Sequence, residues 1–300
     1  MAGAAQIRLS SPRLSPPGLT RRAALAAGLA AAGAGAAGRS LADAPVPFAH
    51  SGRLMQGGVM FGRTDPHAPI SVDGKPQGAA SAAGLFVVGF DRDAPPSATI
   101  AVYRAGAWAE QTFPIAPVAY TIQHIDNLPQ QMVTATDPAI IAREQADRAL
   151  KDKAFASRAP IDDFQGGFIL PLDHPIRTSP FGVQRVLNGE PKAPHYGVDL
   201  AAPIGTPIHA PAPGLVVLAE PDLYLDGGLT LIDHGQGLIS MYLHQSRLDV
   251  AAGQHVARGQ AIGAVGMKGR ATGPHLCWRM KWRDLNLDPS LMIQTYAPSV

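Results

Sequence analysis

Short apolar runs, separated by turn-rich clusters, dominate the first part of the chain. Two of the clusters are Asp-Gly-Lys-Pro at 73–76 and Asp-Ala-Pro-Pro at 93–96, and both compositions favour turns. The apolar runs lie at 58–62, 85–90, 99–103, 108–113 and 120–125. Several short strands at this spacing are typical of a small β-sandwich.

From about residue 137 to 156 the pattern changes to that of a helix. Good helix formers and alternating charges replace the short apolar runs. Asp137 is suited to cap the N-terminus of this helix, and Pro138 fits its first turn. The segment predicts one amphipathic helix that links two domains.

After residue 160 the strand-like pattern returns, denser in glycine and rich in histidine. Six of the ten histidines fall between His195 and His275. A chain of 300 residues suits two domains of roughly 150 residues each. We therefore expect a mainly β protein with an export signal at 1–42, a β-sandwich-like accessory domain at 43–136, a helical linker at 137–160 and an antiparallel β-domain at 161–300.

The first 42 residues have the features of an export signal. Arg21 and Arg22 precede an uncharged run at 23–38 that consists only of Ala, Gly and Leu, too short and too weakly apolar for a good membrane span. The paired arginines resemble a twin-arginine signal, and an ordinary Sec leader is the alternative. We expect cleavage after Ala42, a periplasmic mature protein that begins near Asp43, and no stable transmembrane anchor.

The positive charge of the chain belongs to this leader. The formal net charge is +2, and five arginines but no acidic residue lie in the first 42 positions. Without them the chain has 20 basic and 23 acidic residues, a formal charge of −3. This distribution argues against a nucleic-acid-binding protein, which would carry its basic residues on a folded face.

Three short segments of the second half carry side chains that can bind a metal. His195 and Asp199 are four residues apart, and on a strand this spacing places both on one face. His275 and Cys277 follow a Gly-Pro turn and share a face by the same alternation. His244 ends an apolar strand.

These side chains provide the nitrogen, oxygen and sulfur donors that zinc accepts, and three protein ligands with a water form an open, catalytic site. Each residue alone has a simpler reading: single histidines are usually surface or hydrogen-bonded residues, and Cys277, between Leu276 and Trp278, is by default a small buried hydrophobe. A metal-bound thiolate would explain how one unpaired cysteine persists in an oxidising compartment. The conjunction of the three segments favours the metal site.

Together these segments resemble the lysostaphin/LytM-type zinc metalloendopeptidases, which cut peptidoglycan peptides. The resemblance covers roughly 168–291. Its markers are Thr-Ser-Pro-Phe-Gly at 178–182, His-Tyr-Gly-Val-Asp-Leu at 195–200, Gly-Thr-Pro at 205–207, Asp-His-Gly at 233–235, Tyr-Leu-His at 242–244 and Gly-Pro-His-Leu at 273–276. The fold that it implies is a compact antiparallel β-domain with a groove over its sheet.

The resemblance also implies roles for five residues. His195 and Asp199 correspond to two zinc ligands, and Cys277 stands where the family's His-x-His motif has its third ligand. His244 and His275 correspond to the catalytic histidines, which orient or deprotonate the attacking water and stabilise the oxyanion; which does which is left open. Because Asp199 and Cys277 bring two negative charges to Zn²⁺, we expect a slower or more selective enzyme.

Two other functions are consistent with the same resemblance. One is a catalytically impaired regulator that activates a cell-wall amidase and so has an amidase or divisome partner. The other is a wall-binding module. The accessory domain would position the enzyme on the wall or shield the groove.

Other residues are excluded from the predicted site. His209 is expected to lie outside the site, His234 is expected to play a structural role in a turn, and His255 is expected to be exposed. A serine hydrolase is disfavoured because the chain has no Gly-x-Ser-x-Gly elbow.

Overall fold

The computed structural model describes residues 7–10, 47–127, 130–134, 136–293 and 295–298. The predicted export signal at 1–42 lies outside the described residues, apart from the strand at 7–10. The described part is mainly β, as predicted, with antiparallel sheets and one long helix.

In the described part of the chain, nine strands precede the long helix. In chain order, β1 to β9 are Ile7–Ser10, Ala49–Gly52, Val59–Arg63, Pro69–Val72, Lys75–Ala79, Leu85–Gly89, Ser97–Arg104, Ala107–Pro114 and Ile122–Ile125. Strands β2, β3 and β6 form one sheet in that order, and a second sheet has the order β5-β4-β7-β8. All five predicted apolar runs contain a strand. The strands β2, β4 and β5 were not predicted, because they are too polar or too short to form an apolar run.

Thirteen strands follow the long helix among the residues that the structure describes. In chain order, β10 to β22 are Ile176–Ser179, Gln184–Leu187, Glu190–Pro191, Val198–Ala201, Pro207–His209, Gly214–Leu223, Gly227–Asp233, Leu238–Gln245, Arg247–Leu248, His255–Val256, Ala261–Ala264, His275–Trp282 and Leu285–Leu287. The main sheet has the order β10-β13-β21-β17-β16-β15-β19, with β22 also paired to β21. A small sheet has the order β14-β20-β18.

Strand β9 differs from the expectation that it belongs to the accessory domain. It pairs in parallel with β11, in a sheet of order β1-β9-β11-β12. The segment after β8 therefore crosses from the first half of the protein to the second before the long helix begins.

The helices are α1 (Gln130–Val133) and α2 (Pro138–Phe155), with short 3-10 helices at Asp163–Gly166 and Pro289–Met292. The Asp137 side chain accepts a hydrogen bond from the backbone N–H of Ala139 at 2.8 Å, which is the cap that the sequence predicts. In the described part of the chain, no helix combines the length and apolar character that a membrane span requires.

The two faces of the main sheet have different coverings. On one face Leu200, Tyr242 and Trp278 belong to a buried cluster that includes residues of the small sheet. On the other face Leu243 and Cys277 belong to a cluster that includes Ala154 of α2. Helix α2 thus packs on the face of the sheet that carries Cys277.

The two halves of the protein share one hydrophobic core. The rings of Phe61, on β3, and Phe164, in the first 3-10 helix, stack with centroids 5.3 Å apart. A Cβ at Gly89 would lie 2.9 Å from the Cβ of Trp282, so β6 packs closely against β21. The accessory strands therefore pack directly onto the second half. The division into a 43–136 and a 161–300 domain stays a prediction.

Candidate metal centre

His195 lies in the loop before β13 and not on the strand. Its backbone N–H donates to the carbonyl of Val183, and its carbonyl accepts from the N–H of Gly182, both at 2.8 Å. Its Nδ1 lies 3.2 Å from the hydroxyl of Ser179, so its Nε2 points towards Asp199. The predicted proximity of His195 and Asp199 holds, but the loop, and not strand alternation, brings it about.

Asp199 and Cys277 occupy neighbouring strands. Cys277 lies directly opposite Asp199 in the β13–β21 register. His195 Nε2 lies 3.0 Å from Asp199 Oδ1 and 3.3 Å from Cys277 Sγ. The three donor atoms all lie within 4.8 Å of one another.

This group fits a metal ion in its donor chemistry and in its unmet hydrogen bonding. Asp199 Oδ1 is buried and, apart from the contact with His195 Nε2 at 3.0 Å, has no hydrogen-bond partner among the described residues. A buried carboxylate oxygen without a donor is costly unless a cation compensates it. The set of one imidazole, one carboxylate and one thiol matches an open zinc site with three protein ligands.

The two predicted catalytic histidines lie together beside this group. The ring centroids of His244 and His275 are 4.8 Å apart. Each Nδ1–H donates to a backbone carbonyl at 2.8 Å, that of Lys268 for His244 and that of Gly273 for His275. In the neutral form of each ring, Nε2 is therefore the atom without a proton, and that of His275 lies 3.7 Å from Asp199 Oδ1.

His244 reaches this position through an irregularity in β17. Strict alternation would place its side chain beside that of Tyr242, on the face of the sheet opposite Cys277. His244 instead has a φ of 66°, which lies in the left-handed region. At this position along the chain, the register between β16 and β17 shifts. Because bulges redirect side chains in this way, the two histidines meet on the same face as the metal-binding group.

Burial and nearby charges perturb the groups of this site. Burial raises the pKa of the Cys277 thiol to about 12, an effect that the Arg279 charge opposes. Burial lowers the pKa of His244 to about 4 and also lowers that of His195. Burial opposes ionisation of Asp199, but the facing His195 holds its carboxyl pKa well below the ordinary value. At neutral pH, with no metal bound, Asp199 is therefore a carboxylate, Cys277 a thiol, and His195 and His244 neutral imidazoles.

Two arginines at this site were not predicted from the sequence. Arg185 Nη2 lies 3.3 Å from Asp199 Oδ2, and Arg279 Nε donates to Cys277 Sγ at 3.3 Å. Alternation along β21 could have placed Arg279 beside Cys277, whereas the position of Arg185 depends on the fold. Both bring positive charge to the acidic donors.

Three further histidines contact residues outside the metal-binding group. His234 is buried, and its Nε2 lies 2.7 Å from the hydroxyl of Ser240. His255 is exposed and pairs with Asp163 at 2.6 Å. His209 Nδ1 donates to the carbonyl of Gly259 at 3.0 Å. Among the described residues, these three do not join the metal-binding group.

Comparisons with known proteins point to one family. The model of peptidase family M23 matches residues 193–289. The crystal structure of a Pseudomonas aeruginosa protein described as a peptidase M23 superposes with a TM-score of 0.62 at 31% identity, covering 80% of this chain and 95% of that one.

Two curated relatives match shorter parts of their own sequences. Peptidoglycan DD-endopeptidase ShyA of Vibrio cholerae is 46% identical over 88 residues, which are 29% of this chain and 20% of ShyA. Cell division protein DipM of Caulobacter vibrioides is 30% identical over 207 residues, which are 66% of this chain and 32% of DipM. The chain thus matches about a fifth to a third of the length of these relatives.

Proposed function

The chain belongs to peptidase family M23, and from this premise we propose that it is a zinc-dependent endopeptidase that hydrolyses peptide bonds in the stem peptides or cross-links of peptidoglycan. The observation that carries the proposal is the convergence of His195, Asp199 and Cys277 within 4.8 Å, next to the paired rings of His244 and His275. The name of ShyA, a peptidoglycan DD-endopeptidase, supports the substrate class.

His195 Nε2, Asp199 Oδ1 and Cys277 Sγ would hold the zinc ion. When bound, Zn²⁺ supplies a Lewis acid that activates water and polarises the scissile carbonyl. The Ser179 hydroxyl fixes the ring of His195, and Arg185 and Arg279 offset the negative charge of the other two ligands.

His244 and His275 would transfer the proton of the attacking water and stabilise the negative charge that develops on the substrate. With Nδ1–H donated to a carbonyl, each ring in its neutral form presents the Nε2 lone pair towards the site. One histidine can accept the proton of the attacking water, donate a hydrogen bond to the oxyanion as the resulting imidazolium, and pass the proton to the leaving amine, while the other orients the water.

The predicted leader indicates the cellular compartment of the mature protein. We place the mature protein in the periplasm after cleavage behind Ala42, where peptidoglycan is accessible. The paired Arg21 and Arg22 support a twin-arginine route.

A second candidate function is a regulator that activates a cell-wall amidase. The similarity to DipM, named a cell division protein, favours this alternative, as does a cysteine at the third ligand position. A regulator would bind its partner without needing the Nε2 atoms of His244 and His275.

Metal analysis and a muropeptide digest test the proposal together. We expect one zinc per purified mature protein and new amine and carboxyl termini in digested peptidoglycan. Zinc binding without cleavage of any peptide bond would favour the regulator, and absence of both would contradict the zinc peptidase.

A further inference from the structure

One side of helix α2 contacts the tip of the β15–β16 hairpin, residues 222–226. Asp147 and Lys151 are four positions apart, so they project from the same side of the helix. The backbone N–H of Tyr224 donates to Asp147 Oδ2 at 2.7 Å, and the Lys151 ammonium forms a close ion pair with Asp226. Two adjacent turns of α2 therefore hold the hairpin tip.

The ion pair between Lys151 and Asp226 is largely withdrawn from water. Only 9% of the Asp226 side chain and 21% of the Lys151 side chain are exposed. Within the described structure, Asp226 forms an ion pair with Lys151 alone. A buried carboxylate that loses its partner is strongly destabilised, and it is then driven to move towards water. Lys151 therefore fixes the position of Asp226 and of the backbone around it.

The other side of the hairpin tip contacts His244. The carbonyl of Asp226 accepts a hydrogen bond from the backbone N–H of His244 at 2.8 Å. A Cβ on the adjacent Gly227 would lie 2.6 Å from the carbonyl oxygen of Lys268, so the hairpin packs directly against that carbonyl. The same carbonyl accepts a hydrogen bond from His244 Nδ1 at 2.8 Å. Both the backbone and the ring of His244 therefore depend on the position of the hairpin.

The backbone conformation of His244 makes this support necessary. Its φ of 66° lies in the left-handed region, which a residue with a Cβ adopts only where the surrounding structure holds it. The hydrogen bond to Asp226 acts on this same residue. Its loss would let His244 relax towards regular strand geometry, in which the side chain leaves the face that carries His275.

We propose that Lys151 and Asp147 of α2 are positioning residues for His244 and act through the hairpin tip. The inference rests on the proposed peptidase function, in which His244 is a catalytic histidine. It gives the helix a part in catalysis beyond the connection of the two halves of the protein. Among the described residues, neither Lys151 nor Asp147 belongs to the metal-binding group. Their replacement should therefore disturb His244 and leave zinc binding unchanged.

Amide hydrogen exchange of the purified mature protein, followed by NMR, tests the positioning at the N–H of His244. Lys151→Met removes the ammonium and should accelerate this exchange about 10- to 100-fold, as for the loss of a hydrogen bond that a charged pair supports. Lys151→Arg keeps the charge and should restore most of the protection. Lys153→Met is the matched control, because Lys153 is exposed and has no hydrogen bond or ion pair in the described structure.

A second amide and a second variant separate positioning from general damage to the fold. Global destabilisation would accelerate exchange at Leu231, buried in the middle of β16, by the same factor as at His244. Asp147→Ala removes the bond to Tyr224, leaves the ion pair in place and should also accelerate exchange at His244. Unchanged exchange at His244, or equal acceleration at Leu231, would overturn the proposal, and if Lys151→Met does not fold, Asp147→Ala decides by the same criterion.

Kinetics connect the position of His244 to the reaction. Lys151→Met should lower kcat for muropeptide hydrolysis about 10- to 100-fold at unchanged zinc content, and Lys151→Arg should restore it. Added to His244→Ala, Lys151→Met should not lower the residual rate further, because both changes remove the same function. An unchanged kcat in Lys151→Met despite faster exchange would overturn the catalytic role. If wild type cleaves no muropeptide, the proposed peptidase function fails, and the exchange rates still decide whether α2 positions His244.

Discussion

Asp199 and Cys277 face each other across adjacent antiparallel strands, with His195 Nε2 within 3.3 Å of an atom of each. Their separation in sequence is large, and only the β13–β21 pairing makes them neighbours. A cysteine at this position can bind zinc as a thiolate or remain an inert buried side chain, and the first predictions distinguish these roles.

Substitutions of Cys277 should separate its two possible roles. Cys277→His should retain zinc because imidazole is a good zinc ligand, whereas Cys277→Ser should lose most of it because a neutral hydroxyl is a poor substitute for thiolate. Metal analysis after dialysis measures both. Zinc should also protect the wild-type thiol from alkylation; equal alkylation rates with and without zinc would exclude ligation.

Removing either histidine should abolish cleavage while zinc remains bound. His275→Ala and His244→Ala each delete a proton-transfer or oxyanion group and should lower kcat by about 10²- to 10⁴-fold. A muropeptide assay gives the rates. His209→Ala removes a histidine outside the site and should retain activity; normal cleavage by His275→Ala would contradict its assigned role.

Zinc affinity should rise with pH between 7 and 9. With the Cys277 pKa raised to about 12, the thiol is protonated throughout this range, so its binding as a thiolate displaces one proton. The lowered pKa values of His195 and Asp199 leave no proton to displace from either. The apparent affinity should therefore increase about tenfold per pH unit.

Competition with a chelator of known affinity measures this slope. The Cys277→His variant is its control, because a neutral imidazole binds without losing a proton above pH 7 and the slope should flatten. A flat wild-type curve would show that zinc does not bind a thiolate here.

The shared core should make both halves of the protein unfold together. Phe164 is fully buried and stacks on Phe61, so Phe164→Ala should lower the free energy of unfolding by about 3–5 kcal/mol. Chemical denaturation should show one transition by fluorescence and by circular dichroism. Trp108→Ala, at a side chain that is 53% exposed, should cost much less; two separate transitions would contradict the shared core.

Export should remove the leader. N-terminal sequencing of the periplasmic protein should find a chain that begins near Asp43. Replacing Arg21 and Arg22 with lysines preserves the charge, so export that survives this change would indicate a Sec leader. Retention of residues 1–20 on the exported protein would contradict cleavage.

Much of the fold and of the candidate site was accessible from the sequence, where the determinants are local. Alternation along a strand is enough to put His275 and Cys277 on one face, and the structure has them on β21. The capping of α2 by Asp137 likewise depends on residues only two positions apart. Local steric and hydrogen-bonding rules therefore predict these features without a tertiary structure.

Long-range contacts decided the rest. Backbone hydrogen bonds to Gly182 and Val183 hold His195 in its loop. The left-handed backbone conformation of His244 directs its side chain to the face of the sheet opposite to the one that strand alternation predicts. The approach of Arg185 to Asp199 requires that β11 and β13, which belong to different sheets, come close together. Such arrangements depend on which distant segments pack together, because burial and strand pairing act on the whole folded chain, whereas a sequence pattern reports only neighbours within a turn or a strand.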